Sequence, residues 1–125
     1  MGSGSIVNIS SVNGLRAASH GVGYSIAKHG ILGLTRTAAV EYADRGIRVN
    51  ALCPGLVDTP LTERELEIGG EDPAEALESA LGEIPLGRMA TAEEIGECAA
   101  WLCLEASPYL TGAAITVDGG FTVRG

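Results

Sequence analysis

Tyr24 and Lys28 stand four residues apart in the run Tyr24-Ser25-Ile26-Ala27-Lys28, and the pair Ser10-Ser11 lies upstream of them. Four residues along an α-helix is a rise of about 6 Å and nearly one turn, so a phenol and an ammonium at this spacing share a face and can meet. A free phenol titrates near about 10 and is a poor acid or base at neutral pH. A cation held about 4 Å away, at an effective dielectric of about 20, favours phenolate by roughly 4 kcal/mol. That is enough to make such a pair useful for proton transfer. Ser11 precedes Tyr24 by thirteen residues and ends the stretch Ile6-Val7-Asn8-Ile9, where a strand would give way to a loop. Its hydroxyl is placed to donate to a substrate oxygen while Tyr24 moves the proton. The bare spacing equally describes a solvated pair on a helix surface, so the flanking residues must decide.

The elements that would position these groups are legible from local patterns. Residues 5–11 read as a buried strand, from β-branched content and turn-rich flanks. A loop over 12–23 leads into a helix over about 24–44, with a stripe Ala27, Ile31, Leu34, Ala38 and Tyr42 at steps of three or four and Gly46 suited to the left-handed position past its end. Residues 47–52 form a second strand, closed by Pro54-Gly55. Asp72-Pro73-Ala74-Glu75 and Thr91-Ala92-Glu93-Glu94 both read as capping boxes, the second opening a helix that carries Ile95, Ala99 and Leu102. Residues 113–117 form a third strand. This alternation predicts a single α/β unit with three parallel strands side by side, and ligands at their carboxyl ends, where Ser11 and Thr59 fall.

Gly4-Ser5-Ile6-Val7-Asn8-Ile9-Ser10-Ser11-Val12-Asn13-Gly14, the Tyr24 to Lys28 run, and Arg48-Val49-Asn50-Ala51-Leu52-Cys53-Pro54-Gly55 with Thr59 together resemble the short-chain dehydrogenase/reductase family. Pro85-Leu86-Gly87-Arg88, the helix start at Thr91, Leu110-Thr111-Gly112 and Val117-Asp118-Gly119-Gly120 extend the resemblance in the same order over essentially the whole chain. It implies a partial Rossmann-like, doubly wound parallel sheet and an NAD(P)(H)-dependent oxidoreductase acting on an alcohol or ketone. By the same resemblance, Ser11, Tyr24 and Lys28 are catalytic: Tyr24 is the general acid/base, Ser11 polarises the oxygen, and Lys28 tunes Tyr24 and holds the nicotinamide ribose. Ser10 is the structural neighbour. Pro54, Gly55, Val57 and Thr59 belong to a P-G-x-x-x-T loop along the nicotinamide, with Thr59 bonding the carboxamide or a phosphate. The expected organisation is an active-site strand and helix at 5–45, a cofactor-facing loop at 53–60, a substrate lid at 61–84, and a C-terminal helix and strand at 91–120.

The family's first glycine-rich turn, which receives the cofactor pyrophosphate at a helix N-terminus, has no counterpart among the eighteen glycines. The chain therefore resembles the C-terminal half of a family member, and the determinant that chooses NAD or NADP is not in it. In the family the strand at 6–9 is central, so here it is expected to be an unpaired edge, apolar on both faces, and to drive homo-oligomerisation. The alternative to an enzyme is a catalytically silent half-domain that self-associates or complements a missing N-terminal half. A binder of small ligands without redox chemistry is a third reading.

Composition narrows the field. With 46% apolar and 19% charged residues the chain is suited to a packed core rather than disorder. The formal charge of −8 disfavours nucleic acid. Eight of the sixteen acids fall between Leu61 and Ile84, with Arg64 the only base there. No run of eighteen apolar residues indicates a membrane span, and Met1-Gly2-Ser3-Gly4-Ser5 has neither the basic region nor the apolar core of a signal peptide. Cys53, Cys98 and Cys103 lack metal spacing and read as free thiols filling apolar space, which suits a cytoplasmic protein. His20 and His29 have no ligand partners at metal spacing and read as loop or helix-surface residues.

Overall fold

The computed structural model describes residues 2–18, 21–104 and 107–125. His20 lies outside them. Strand β1 (Gly4–Ile9) leads through a 3-10 turn (Val12–Gly14) into helix α1 (Val22–Tyr42), and strand β2 (Ile47–Pro54) follows. Helices α2 (Pro60–Ile68), α3 (Pro73–Gly82) and α4 (Ala92–Cys103) precede strand β3 (Ala114–Val117), and a last 3-10 turn spans Phe121–Val123. The sheet runs β1-β2-β3, all parallel, with Ile6 opposite Val49, Ile9 opposite Leu52, and Leu52 opposite Ile115. The expected three parallel strands are thus present in the expected order.

Strand alternation places two helices on opposite faces of the sheet. On one face α1 sets Leu32 against Ala51 and Cys53, with Ala114 packed beside them. Asn8 on that face donates to Thr35 Oγ1 at 3.0 Å. On the other face Ser5 donates to the Leu102 carbonyl of α4 at 2.9 Å, and Leu102 itself is buried. Arg48 reaches the same helix end and donates to the carbonyls of Leu102 and Leu104 at 3.4 and 3.0 Å, where a guanidinium complements the helix dipole. Fully buried Asn50 binds the incoming β3 segment, donating to Leu110 O at 2.9 Å and accepting from Ala113 N at 3.0 Å. The Arg48-Val49-Asn50 run is therefore the clasp between β2 and the C-terminal segment.

Several boundaries differ from expectation. β1 stops at Ile9, although Ser10 N still donates to Leu52 O at 2.8 Å, so one ladder bond continues past the strand. β2 runs on to Pro54, because Cys53 and Pro54 pair with Thr116 and Val117, and Pro54 at the strand end withdraws no needed donor. α1 begins at Val22 and hands over to a 3-10 turn at Ala43–Arg45, after which Gly46 takes the expected left-handed conformation at φ 73°. Its sheet-facing stripe is Leu32, Thr35 and Ala39, so the expected stripe is rotated sideways and leaves Leu34 60% exposed. Thr35 explains the error: its hydroxyl is satisfied by Ile31 O at 2.7 Å and by Asn8, so a polar residue holds the centre of the buried face.

The Thr91 capping box forms in full, but Asp72 makes no side-chain cap bond, contrary to expectation. Thr59 and Thr91, which do cap, sit at ψ 162° and 156°, whereas Asp72 sits at φ −59°, ψ 123°. Of the cysteines, Cys53 is buried as a filler should be, but Cys103 is exposed at the end of α4. His29 lies on the surface of α1, its ring nitrogen 2.8 Å from Ser25 O. No described helix is long and apolar enough to cross a membrane.

Candidate active site

Where β1 ends, two serines leave the sheet in different roles. Ser10 donates to the Lys28 carbonyl at 2.9 Å and so fastens the β1 exit to α1. Ser11, also buried, caps the following 3-10 turn: its Oγ accepts from Asn13 N at 3.1 Å and its carbonyl from Gly14 N at 2.9 Å. An acceptor bond leaves the hydroxyl proton of Ser11 with no protein acceptor among the described residues, so it is free to donate. Gly14 lets the turn close on the helix, since a Cβ there would stand 2.8 Å from Lys28 O and crowd Ser10 Oγ.

The first turns of α1 bring Tyr24 and Lys28 to the same place. Lys28 Nζ donates to Ile9 O at 3.3 Å and lies 5.4 Å from the centroid of the Tyr24 ring. The ammonium thus stands over the ring as a cation–π contact and is anchored to the end of β1, with no hydrogen bond to the phenol oxygen among the described residues. Tyr24 remains 45% exposed, open to a ligand. The ammonium thereby joins the Tyr24 ring to the carboxyl end of β1, the strand that Ser11 follows by two residues.

The segment 54–59 is held from three sides. Gly55 N donates to Val117 O at 3.0 Å, and a Cβ on Gly55 would stand 2.9 Å from Asp118 Cβ, so this close approach requires glycine. Asp58 N donates to Ala90 O at 2.9 Å and Ala90 N to Leu56 O at 3.0 Å, an isolated parallel bridge between Val57 and Ala90. Thr62 Oγ1 donates to Val57 O. These bonds leave the N–H of half-buried Val57 without a protein partner among the described residues, and a half-buried donor in that position is suited to a ligand. Thr59 caps α2, its Oγ1 accepting from Thr62 N at 3.4 Å, so its side chain serves the helix start as well as facing the loop.

Several supporting residues entered the resemblance only as members of longer runs, with no individual role in the site assigned to them. Burial acts to raise the Asp118 carboxyl, but the hydroxyl and amide of Thr122 and the amide of Gly120 outweigh it and hold the group below its ordinary value. That ionised carboxylate fixes the turn whose backbone meets Gly55. Arg88 pairs both nitrogens with Glu94 at 2.7 and 2.9 Å, and the guanidinium, together with the Thr91 amide, holds the Glu94 carboxyl down to about 2. Burial pushes the Cys53 thiol up despite its contact with Ser10, so it is a packed thiol rather than a nucleophile. In the acidic stretch, α2 and α3 lie around a hollow lined by Leu66, Pro73, Ala74 and Leu77, with Glu63 and Glu67.

A parallel sheet with a helix on each face defines a Rossmann-like α/β protein. Residues 1–122 match the family model described as enoyl-(acyl carrier protein) reductase. The short-chain dehydrogenase/reductase aba4 of Botryotinia fuckeliana is 48% identical over 120 residues, covering 94% of this chain and 45% of that protein. Cis-4-hydroxycyclohexanecarboxylate dehydrogenase of Sinomonas cyclohexanicum is 45% identical over 121 residues, covering 97% of this chain and 46% of that one. Among solved structures, a variant of actinorhodin polyketide ketoreductase with NADPH superposes with a TM-score of 0.90 at 35% identity, covering 98% of this chain and 48% of the other. The chain belongs to the short-chain dehydrogenase/reductase family. It spans about half the length of the curated relatives it matches.

Proposed function

We propose that this chain carries the proton-transfer site and nicotinamide-facing loop of an NAD(P)(H)-dependent oxidoreductase that interconverts an alcohol and a carbonyl compound. The observation that carries this reading is the Lys28 ammonium, bonded to Ile9 O at 3.3 Å while standing over the Tyr24 ring, with Ser11 two residues past that same strand end. The residues present fit the nicotinamide end of the cofactor: the Val57 N–H is a donor without a protein partner among the described residues, and Gly55 keeps the backbone bare beside it. When bound, the nicotinamide supplies or accepts the hydride at the substrate carbon. In the reducing direction Ser11 donates a hydrogen bond to the carbonyl oxygen, and Tyr24 gives its phenolic proton to that oxygen as it becomes a hydroxyl. In the oxidising direction the same proton returns to Tyr24. Lys28, anchored on β1, places positive charge beside the phenol throughout. Pro54 and Thr59 bound the nicotinamide-facing segment, and the acidic α2–α3 stretch covers the substrate. Its free thiols suit a reducing, cytoplasmic setting.

The test is nicotinamide-linked carbonyl reduction by this chain, alone and mixed with a polypeptide supplying a glycine-rich strand–turn–helix. Tyr24→Phe should lower the rate by about 10²–10⁴-fold, the usual worth of a positioned acid/base. A Tyr24→Phe rate equal to the unmodified one would sink the assignment.

One observation supports a second, compatible reading. Among the described residues β1 pairs only with β2, and Ile6 and Ile9, which point to opposite faces, are 49% and 45% exposed. An edge of this kind is a template for another strand, and we take a second copy of the chain as its partner.

A further inference from the structure

Ala90 makes the isolated rung that flanks Val57, and it stands between two residues that are both fixed to one carboxylate. On one side Arg88 spans both oxygens of Glu94 at 2.7 and 2.9 Å and also donates to Met89 O at 3.1 Å. On the other side Thr91 N donates to Glu94 Oε1 at 2.9 Å, and Glu94 N donates back to Thr91 Oγ1 at 3.1 Å. The turn 88–91 is therefore bracketed at both ends by the first turn of α4. Within it Ala90 presents an N–H to Leu56 O and a C=O to Asp58 N. Leu56, Ala90, Arg88 and Glu94 line one hollow together with Asp118, so the ion pair sits directly behind the loop it would govern.

We propose that the Arg88–Glu94 pair is a latch that sets the position of Val57 through Ala90, making Arg88 a positioning residue for the 54–59 loop. Exposed ion pairs usually add little to global stability, and both side chains are about half exposed. A bidentate fork is the geometry in which such a pair does order a local segment. The latch gains its functional meaning from the nicotinamide-facing reading of the loop, and the two are tested separately below.

Amide hydrogen exchange on the intact chain reads the latch directly. Arg88→Met should speed exchange at Asp58 N and Ala90 N by about tenfold, while Ala51 N, bonded to Ala113 O within the sheet, changes by less than about twofold. Arg88→Lys should not rescue, because an ammonium keeps the charge but cannot span both carboxylate oxygens. Glu94→Gln, which retains Thr91 as the helix cap, provides the second variant if Arg88→Met folds poorly. Unchanged exchange at Asp58 and Ala90, acceleration only in step with Ala51, or full rescue by Arg88→Lys overturns the latch. NADPH titration adds the second readout, with Kd expected to rise about fivefold or more in Arg88→Met. An unmodified chain that binds no NADPH even when mixed with a polypeptide supplying the glycine-rich strand–turn–helix, yet shows the local exchange response, refutes the nicotinamide reading and leaves the latch standing.

Discussion

Ser11, Tyr24 and Lys28 do different work once placed. The four-residue spacing showed that phenol and ammonium share a helix face, but it did not show that the ammonium would spend its hydrogen bond on Ile9 O and stand over the ring instead. That outcome depends on how closely α1 approaches the exit of β1, which Gly14 permits. Gly14→Ala would put a methyl 2.8 Å from the Lys28 carbonyl, and backbone on both sides cannot easily yield. The expected cost is about 1–3 kcal/mol, read as a lower urea midpoint. A midpoint equal to that of the unmodified chain would show the turn to be looser than described. Val57 is the instructive case. The loop pattern pointed to it only by resemblance, and the bridge that holds both its neighbours comes from Ala90, thirty-three residues later, which no local pattern reveals.

Strands and capped helices were legible because their causes are local. The Thr91 box formed as the residue types dictate, and Thr91→Ala should cost about 1 kcal/mol of stability by thermal or urea unfolding. The Asp72 box did not form: its cap backbone sits at ψ 123°, about 30–40° short of the two threonine caps, and residue types alone do not fix that angle. The α1 stripe failed for a different reason: a period of apolar residues cannot see that Thr35 is buried with both hydroxyl contacts satisfied. Acid is the natural probe of the α4 start. Glu94 is held at about 2, below its usual 4.5, so its pairing stabilises the fold fully above the unfolded value and is lost as pH falls through the folded one. Asp118, also lowered, acts in the same direction. Stability should therefore decline with acidification from about pH 4.5 towards 2, and Arg88→Met should flatten the Glu94 part of that decline. A slope unchanged by Arg88→Met would contradict the assignment.

Across the molecule, three parallel strands position everything by their carboxyl ends: Ser11 follows β1, the 54–59 loop follows β2, and Asp118 follows β3. This much was readable from the alternation of strands and helices, whereas the long-range clasps of Arg48, Asn50 and Arg88 were not, because each joins segments that only the fold brings together. The open β1 edge predicts self-association. Sedimentation should show mass rising with concentration, and Ile6→Lys should return the chain to monomer, as charge on an exposed edge does elsewhere. A monomer at all concentrations would remove the second-copy reading. A nicotinamide received by the Val57 and Lys28 segments together must perturb both at once, which amide-resolved NMR titration with NADPH reads. Saturable shifts at Val57 and Gly55, with the Tyr24–Lys28 turn moving on the same binding curve, are the expected result. Val57 and Lys28 amides that stay fixed while NADPH is raised to millimolar levels would contradict it.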